Sequence, residues 1–389
     1  MRQPLYMDYN ATAPVRPEAV AAVAEALQVT GNASSVHGFG RHARRILEDA
    51  REAVAALVGA EPAQVIFTSG GTEANNLALN GCERERILVS AGEHDSVLQA
   101  APEAERNPLD RDGRVDLAAL GAALKADDRP ALVSVMLANN ETGVIQPLPE
   151  VVALARDHGA IVHCDVVQAA GKIALDFAEL GVDLLSLSAH KLGGPQGVGA
   201  LVVADSVGLR PELRGGGQER RRRAGTENLP GIAGFGAAAR IAAERLGAFA
   251  ALAELRDDLE RQLQALAPGL IRYGAAAPRL ANTACFALPG LPAETQVMAL
   301  DLAGIAVSAG AACSSGKIEP SHVLRAMGAT AEEATSAIRV SLGWLNTAAD
   351  IEAFVAAWSE LYQRRMTRQP AASAGAEGAA ADETVAVVS

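Results

Sequence analysis

Aromatic side chains are scarce: Phe, Trp and Tyr make up 3% of the 389 residues, against 49% hydrophobic residues in all. Aliphatic and alanine packing must therefore fill the core, and the chain is long enough for one large domain and a smaller one. Cysteine is also sparse. Cys82, Cys164, Cys285 and Cys313 lie far apart with no CxxC pair, which argues against a disulfide framework or a zinc site. Positive charge is in deficit, 34 Lys and Arg against 46 Asp and Glu, for a net charge of −12. A nucleic acid or an anionic membrane is thus not expected as the main partner. The basic run Arg220 to Arg223 is too short and isolated to alter that. No charged-then-apolar leader opens the chain, and no apolar run reaches the length of a membrane span. The expectation is a soluble, cytoplasmic protein without a metal site.

What is present alternates between strand and helix signals. The opening PLYMDYNATAPV reads as an extended arm. Helical spacing follows over Glu18 to Gln28 and, more strongly, over Arg41 to Val58, with Gly59 as stop signal. Short apolar runs at Val65 to Thr68, Ile87 to Ser90, Leu132 to Leu137, Ile161 to Asp165, Leu184 to Ser188 and Ala200 to Ala204 alternate with helices. That pattern predicts an α/β fold, a mostly parallel sheet covered by helices on both faces, over residues 15–247. From about Gly247 the texture changes to a smaller α+β domain over 248–366, to which the arm 1–14 returns. Residues 367–389 are Ala, Gly, Ser and Glu without periodicity and are expected to be disordered.

Lys191 follows the strand-like VDLLSLS and precedes a glycine-rich turn, so it falls at the mouth of a strand, where open α/β sheets place ligands. Partial desolvation there would free its amine for Schiff-base chemistry. Asp165 ends another strand, where it can hold a protonated heteroaromatic nitrogen. Ser69-Gly70-Gly71-Thr72 lies between a strand and a helix start, a suitable cup for a phosphate monoester. A Schiff-base lysine, an acidic partner and a phosphate cup are the three demands of pyridoxal phosphate. His94, after a third strand, could stack on its ring. Arg339 lies on an apolar strand and needs a partner, either a substrate α-carboxylate or a buried acid. Cys164 and Cys285 sit inside apolar strands and read as inert, whereas Cys313 stands in the small-residue run SAGAACSSG, suited to a mobile loop presenting a thiol.

The motifs TSGGTEANN, EHDSV, ANNETGVIQP, HCDVVQAAGK, SLSAHKLGGPQGVGAL, RGGGQERRRRAGTEN, SAGAACSSGKIEPSHVLRAMG and IRVSLG stand in order between Met7 and Trp358. Together they resemble the cysteine desulfurases of the class V aminotransferase group, pyridoxal-phosphate enzymes of fold type I. The resemblance implies Lys191 as the Schiff-base lysine, Asp165 at the ring nitrogen, Gln168 at the ring hydroxyl and His94 stacked on the ring. It implies Gly71, Thr72, Ser188 and His190 around the phosphate, Asn140 beside substrate and ring, and Arg339 on the substrate carboxylate. Thr226 would reach the phosphate of the other subunit of a homodimer. The spacing after Cys313 resembles the long-loop subgroup, in which that cysteine takes sulfur from L-cysteine as a persulfide and passes it to an acceptor protein or iron–sulfur scaffold. Gly71 stands where alanine is usual, Val166-Val167 replaces Ala-Thr, and Gln218 replaces a histidine; none of these removes a catalytic group. An aminotransferase or a selenocysteine lyase would keep the cofactor without an obligatory persulfide.

Overall fold

The structure is a computed structural model that describes residues 4–309 and 320–368. Apolar runs without alternation form strands buried on both faces, and here six of them, with the polar edge strand Glu105–Asn107, build one seven-stranded sheet. Its order is Val65–Thr68, Gly199–Val203, Leu184–Ser188, Ile161–Asp165, Ala131–Ser134, Arg86–Ser90 and Glu105–Asn107. The last five strands are mutually parallel. Gly199–Val203 runs antiparallel to both neighbours, because the turn between Ser188 and Gly199 is too short to hold a crossover helix. Leu185 and Leu187 join the core on one face of the sheet, and Leu184 joins the core on the other.

The helix expected from Arg41 begins earlier and spans Gly38–Leu57, because the His37 side chain accepts a hydrogen bond from the Gly40 amide and caps it. Histidine is not a usual cap, so no start signal stands in the sequence there. The helix Leu229–Glu244 is absent from the sequence reading altogether. It contains Gly231, Gly234 and Gly236, which lower helix propensity. Packing explains them: a Cβ on Gly236 would lie 2.6 Å from Ala50 Cα, and one on Gly234 2.6 Å from Val23 Cγ2. This helix lies against Pro17–Leu27 and Gly38–Leu57 so closely that the glycines are required.

A second, antiparallel sheet has the order Ser308–Ala309, Ala337–Ser341, Thr283–Ala287, Ile271–Arg272. Its core places Phe286 edge-on to Phe354 and Trp358, at 6.5 and 6.4 Å between ring centroids. The arm does return here: Leu5 and Tyr6 pair in parallel with Ile305 and Ala306, and Met7 is fully buried in this core. Along Ala337–Ser341, Ile338 and Val340 face that core, which turns Arg339 and Ser341 to the opposite side.

Candidate active site

Parallel strands present their C-terminal ends along one edge, so residues far apart in sequence meet there. Asp165 ends Ile161–Asp165, Lys191 follows Leu184–Ser188 after one tight helical turn at Ala189–Lys191, and His94 follows Arg86–Ser90. Asp165 is buried; Oδ1 accepts from the Val167 amide and Oδ2 from Asn75 Nδ2, both at 2.8 Å. Asn75 Nδ2 also donates to Ser96 Oγ at 2.8 Å, and Ser96 Oγ lies 2.9 Å from His94 Nδ1. The Ser96 amide donates to the same Nδ1 at 3.1 Å. This pattern assigns the ring proton to Nε2, leaving Nδ1 as acceptor. Burial pushes the His94 pKa down; the Asp165 charge opposes this and the Lys191 charge adds to it. A neutral ring offering Nε2–H is the result.

Lys191 Nζ donates to two carbonyls of the N-terminal arm, Asn10 O at 2.6 Å and Ala11 O at 2.8 Å. Gln168 Nε2 donates to the same Asn10 carbonyl at 2.9 Å. Asn10 is itself buried and ties its amide to Ser341 Oγ at 3.0 Å, which locks the arm against the smaller sheet. The helix Gly71–Gly81 begins without a side-chain cap, and a Cβ at Gly70 would meet nothing within 4 Å. Its first N–H groups therefore open onto accessible space. A Cβ at Gly71 would lie 3.0 Å from Val167 Cγ2 and 3.5 Å from Ser188 Cβ, so the start of this helix lies against the end of strand Leu184–Ser188. His190 lies in the tight turn after that strand, with Nδ1 3.2 Å from Thr12 Oγ1. Burial, then the nearby Lys191 charge, lowers the His190 pKa to about 4, so it can offer a hydrogen bond but not a charge near neutrality.

Arg339 is buried and its Nη2 donates to Asp8 Oδ1 at 2.7 Å, while Nη1 donates to the Asn140 carbonyl at 3.1 Å. Of the two partners the sequence left open for Arg339, an acid is present, the half-buried Asp8, and it comes from the arm. The Arg339 Nε is buried and has no hydrogen-bond partner. Thr226 stands apart from this cluster, lining a cleft with Thr68, Ser69, Arg223 and Asn228; Arg223 pairs with Glu73 at 2.8 Å. Cys313 lies outside the described residues. Cys82, Cys164 and Cys285 are buried, and burial pushes each thiol pKa upward, that of Cys82 to about 12. Among the described residues no group of three or more His, Cys, Asp and Glu could hold a metal ion.

Sequence reasoning assigned no role to Asn75, Asn10 or Asp8. Asn75 had a signal, since it falls one helical turn after Gly71 and so on the same helix face. Asn10 and Asp8 had none, because their partners are distant in sequence.

An open, uncapped helix start, a buried aspartate and a lysine on one sheet edge suit a phosphorylated pyridine aldehyde, which needs an anion site, an acidic partner for its ring nitrogen and an amine. The fold and this edge define a pyridoxal-phosphate enzyme of fold type I. The profile described as aminotransferase class-V matches residues 5–354. A cysteine desulfurase of Rhodobacter capsulatus is 46% identical, over 93% of this chain and 97% of that protein. An IscS-like cysteine desulfurase of Mycobacterium tuberculosis is 41% identical, over 90% and 93%. Among solved structures, a NifS-like protein from Rickettsia africae superposes with a TM-score of 0.87 at 34% identity, over 93% of this chain and 100% of that one. The chain belongs to the class-V aminotransferase family, in its cysteine desulfurase branch.

Proposed function

We propose that the chain desulfurates L-cysteine with pyridoxal phosphate, releases L-alanine, and carries the sulfur on Cys313 as a persulfide for an acceptor protein. The observation that carries this reading is the convergence of Lys191, Asp165 and His94 on one sheet edge, in a chain 46% identical to a cysteine desulfurase. When bound, the cofactor supplies an electron sink for the substrate α-carbon.

The chain's own groups do the rest. Asp165 would hold the ring nitrogen protonated, with its carboxylate oriented by Asn75 and Val167. The uncapped start of Gly71–Gly81, with Thr72, Ser188 and His190, would hold the phosphate. Gln168 and Asn140 would serve the ring. Arg339 takes the substrate carboxylate, exchanging part of its contact with Asp8. The Lys191 amine would move the α-proton, and the carbonyls of Asn10 and Ala11 hold its Nζ. His94, with its proton on Nε2, serves as a donor to the substrate thiol rather than as a base. Cys313 thiolate attacks the substrate sulfur; an S–S bond forms, the C–S bond breaks, and its electron pair remains with the carbon that leaves as alanine after protonation.

We further infer a homodimer in which Thr226 reaches the cofactor phosphate of a second copy. Two domains, 15–247 and 248–366 with the arm 1–14, fit the separate cores around the two sheets. A cytoplasmic enzyme fits as well: among the described residues no helix is long and apolar enough to cross a membrane. The deciding test is the mass of the Cys313 peptide, taken without reductant after brief incubation with L-cysteine. One added sulfur on Cys313, missing in Lys191→Ala, is expected. Unmodified Cys313 in protein that visibly carries the cofactor would redirect the assignment to an aminotransferase or selenocysteine lyase.

A further inference from the structure

Lys172 is 5% exposed and stands four residues beyond Gln168, in the turn that follows strand Ile161–Asp165. Its Nζ donates to Gln168 Oε1 and to Asn10 Oδ1, each at 2.8 Å. Among the described residues no carboxylate forms an ion pair with it; the Phe249 ring centroid lies 5.9 Å from Nζ. An ammonium buried against two neutral amides is costly. Burial pushes its pKa well below the usual lysine value, and the charges of Lys191 and Arg339 add to that. A methionine or leucine would fill the same space without this cost, so the amine is retained for what it touches.

Each primary amide has an acceptor end and a donor end, and a buried one must have its orientation set by its neighbours. Lys172 presents N–H donors to both amides, so Gln168 turns Oε1 and Asn10 turns Oδ1 towards it. The opposite ends are then fixed. Gln168 Nε2 donates to Asn10 O at 2.9 Å, and Asn10 Nδ2 donates to Asn140 O at 3.1 Å and Thr283 Oγ1 at 2.9 Å. Asn282 Nδ2 reaches Asn10 Oδ1 at 3.0 Å from the smaller sheet and supports the same orientation. The Asn10 carbonyl, placed by these bonds, is where Lys191 Nζ lands.

We propose that Lys172 is a positioning residue for Lys191: it orients Asn10 and Gln168, and through them the carbonyl that receives the reactive amine and the amide edge offered to the cofactor ring. The proposal rests on the cysteine desulfurase reading. Its test compares holoenzyme carrying Lys172→Met, which removes both donors, with Lys172→Gln, which keeps two N–H donors without the charge. Lys172→Met should lower kcat about tenfold while KM for L-cysteine stays within about twofold, the cost of disordering one or two buried hydrogen bonds. It should also change the ratio of the visible absorption bands of the bound cofactor at fixed pH. Lys172→Gln should restore that ratio and bring kcat to within about threefold of the parent.

A Lys172→Met enzyme with parental kcat and spectrum would overturn the proposal. So would two variants that lose thermal stability alike with the spectrum unchanged, the mark of a core residue alone, or a Lys172→Gln indistinguishable from Lys172→Met. Failure of the parent protein to form a visible cofactor band, or to turn over L-cysteine, would instead defeat the desulfurase reading, whatever Lys172 does.

Discussion

Asp165 is not an isolated carboxylate. It is one end of a hydrogen-bonded run, Asp165–Asn75–Ser96–His94, in which every side chain fixes the next. Asn75 is 1% exposed and spends both Nδ2 protons within this run. Asn75→Ala should therefore free Asp165 Oδ2 and leave the Ser96 hydroxyl free to turn from His94. Loss of one hydrogen bond to a charged group costs about 1.5–3 kcal/mol, so kcat/KM for L-cysteine should fall roughly ten- to a hundredfold. Steady-state alanine formation measures it, and an unchanged value would show that Asp165 is held by the Val167 amide alone. At this scale the sequence singled out Lys191, Asp165, His94 and Arg339, because each is a polar group at an apolar strand or its end. It did not reveal Asp8 as the partner of Arg339 or the two arm carbonyls under Lys191. Those contacts join positions more than a hundred residues apart, and no local pattern records them.

The elements form the site by close approach of backbone. Strand Gly199–Val203 begins against the Gly70 turn: a Cβ on Gly199 would lie 2.6 Å from both Gly70 C and Leu187 O. Neither atom can give way as a flexible side chain would. Gly199→Ala should cost about 1–3 kcal/mol of stability by overpacking, and should weaken pyridoxal-phosphate retention by pushing the Gly70 turn off the phosphate cup. Gly208→Ala is the matched control, since nothing lies within 4 Å of its Cβ. Equal melting temperatures and equal cofactor retention in the two variants would refute this account of the cup. Six strands of the large sheet were legible because each is a short apolar run; the polar edge strand Glu105–Asn107 was not. The helix Leu229–Glu244 was not, because its glycines serve the packing against Ala50 and Val23 and lower the local propensity that a sequence reading uses.

Across the whole molecule, burial of titratable groups makes stability depend on pH. His163 is fully buried between the hydroxyls of Ser134 and Ser186, each at 2.9 Å. Burial lowers its pKa from 6.5 to about 3. Below 6.5 the unfolded chain takes up a proton there that the folded protein refuses until about pH 3. Stability therefore falls as pH drops through that window, by up to about 1.4 kcal/mol per pH unit from this one group. Denaturant unfolding between those limits should show a shallower loss in His163→Asn than in the parent; identical slopes would mean that His163 is protonated in the folded state. The sequence by itself determined the α/β order of elements, the aliphatic core and the residue types that pyridoxal phosphate and a carboxylate require. Periodicity and local chemistry are properties of short stretches, so they can be read from one. Only the tertiary structure decided how those residues are held: the arm crossing both sheets, Asn10 and Lys172 beneath Lys191, and Asp8 on Arg339. Hydrogen bonds of that kind depend on distance in space, and folding alone brings residues 8–11 beside residues 168–191 and 339.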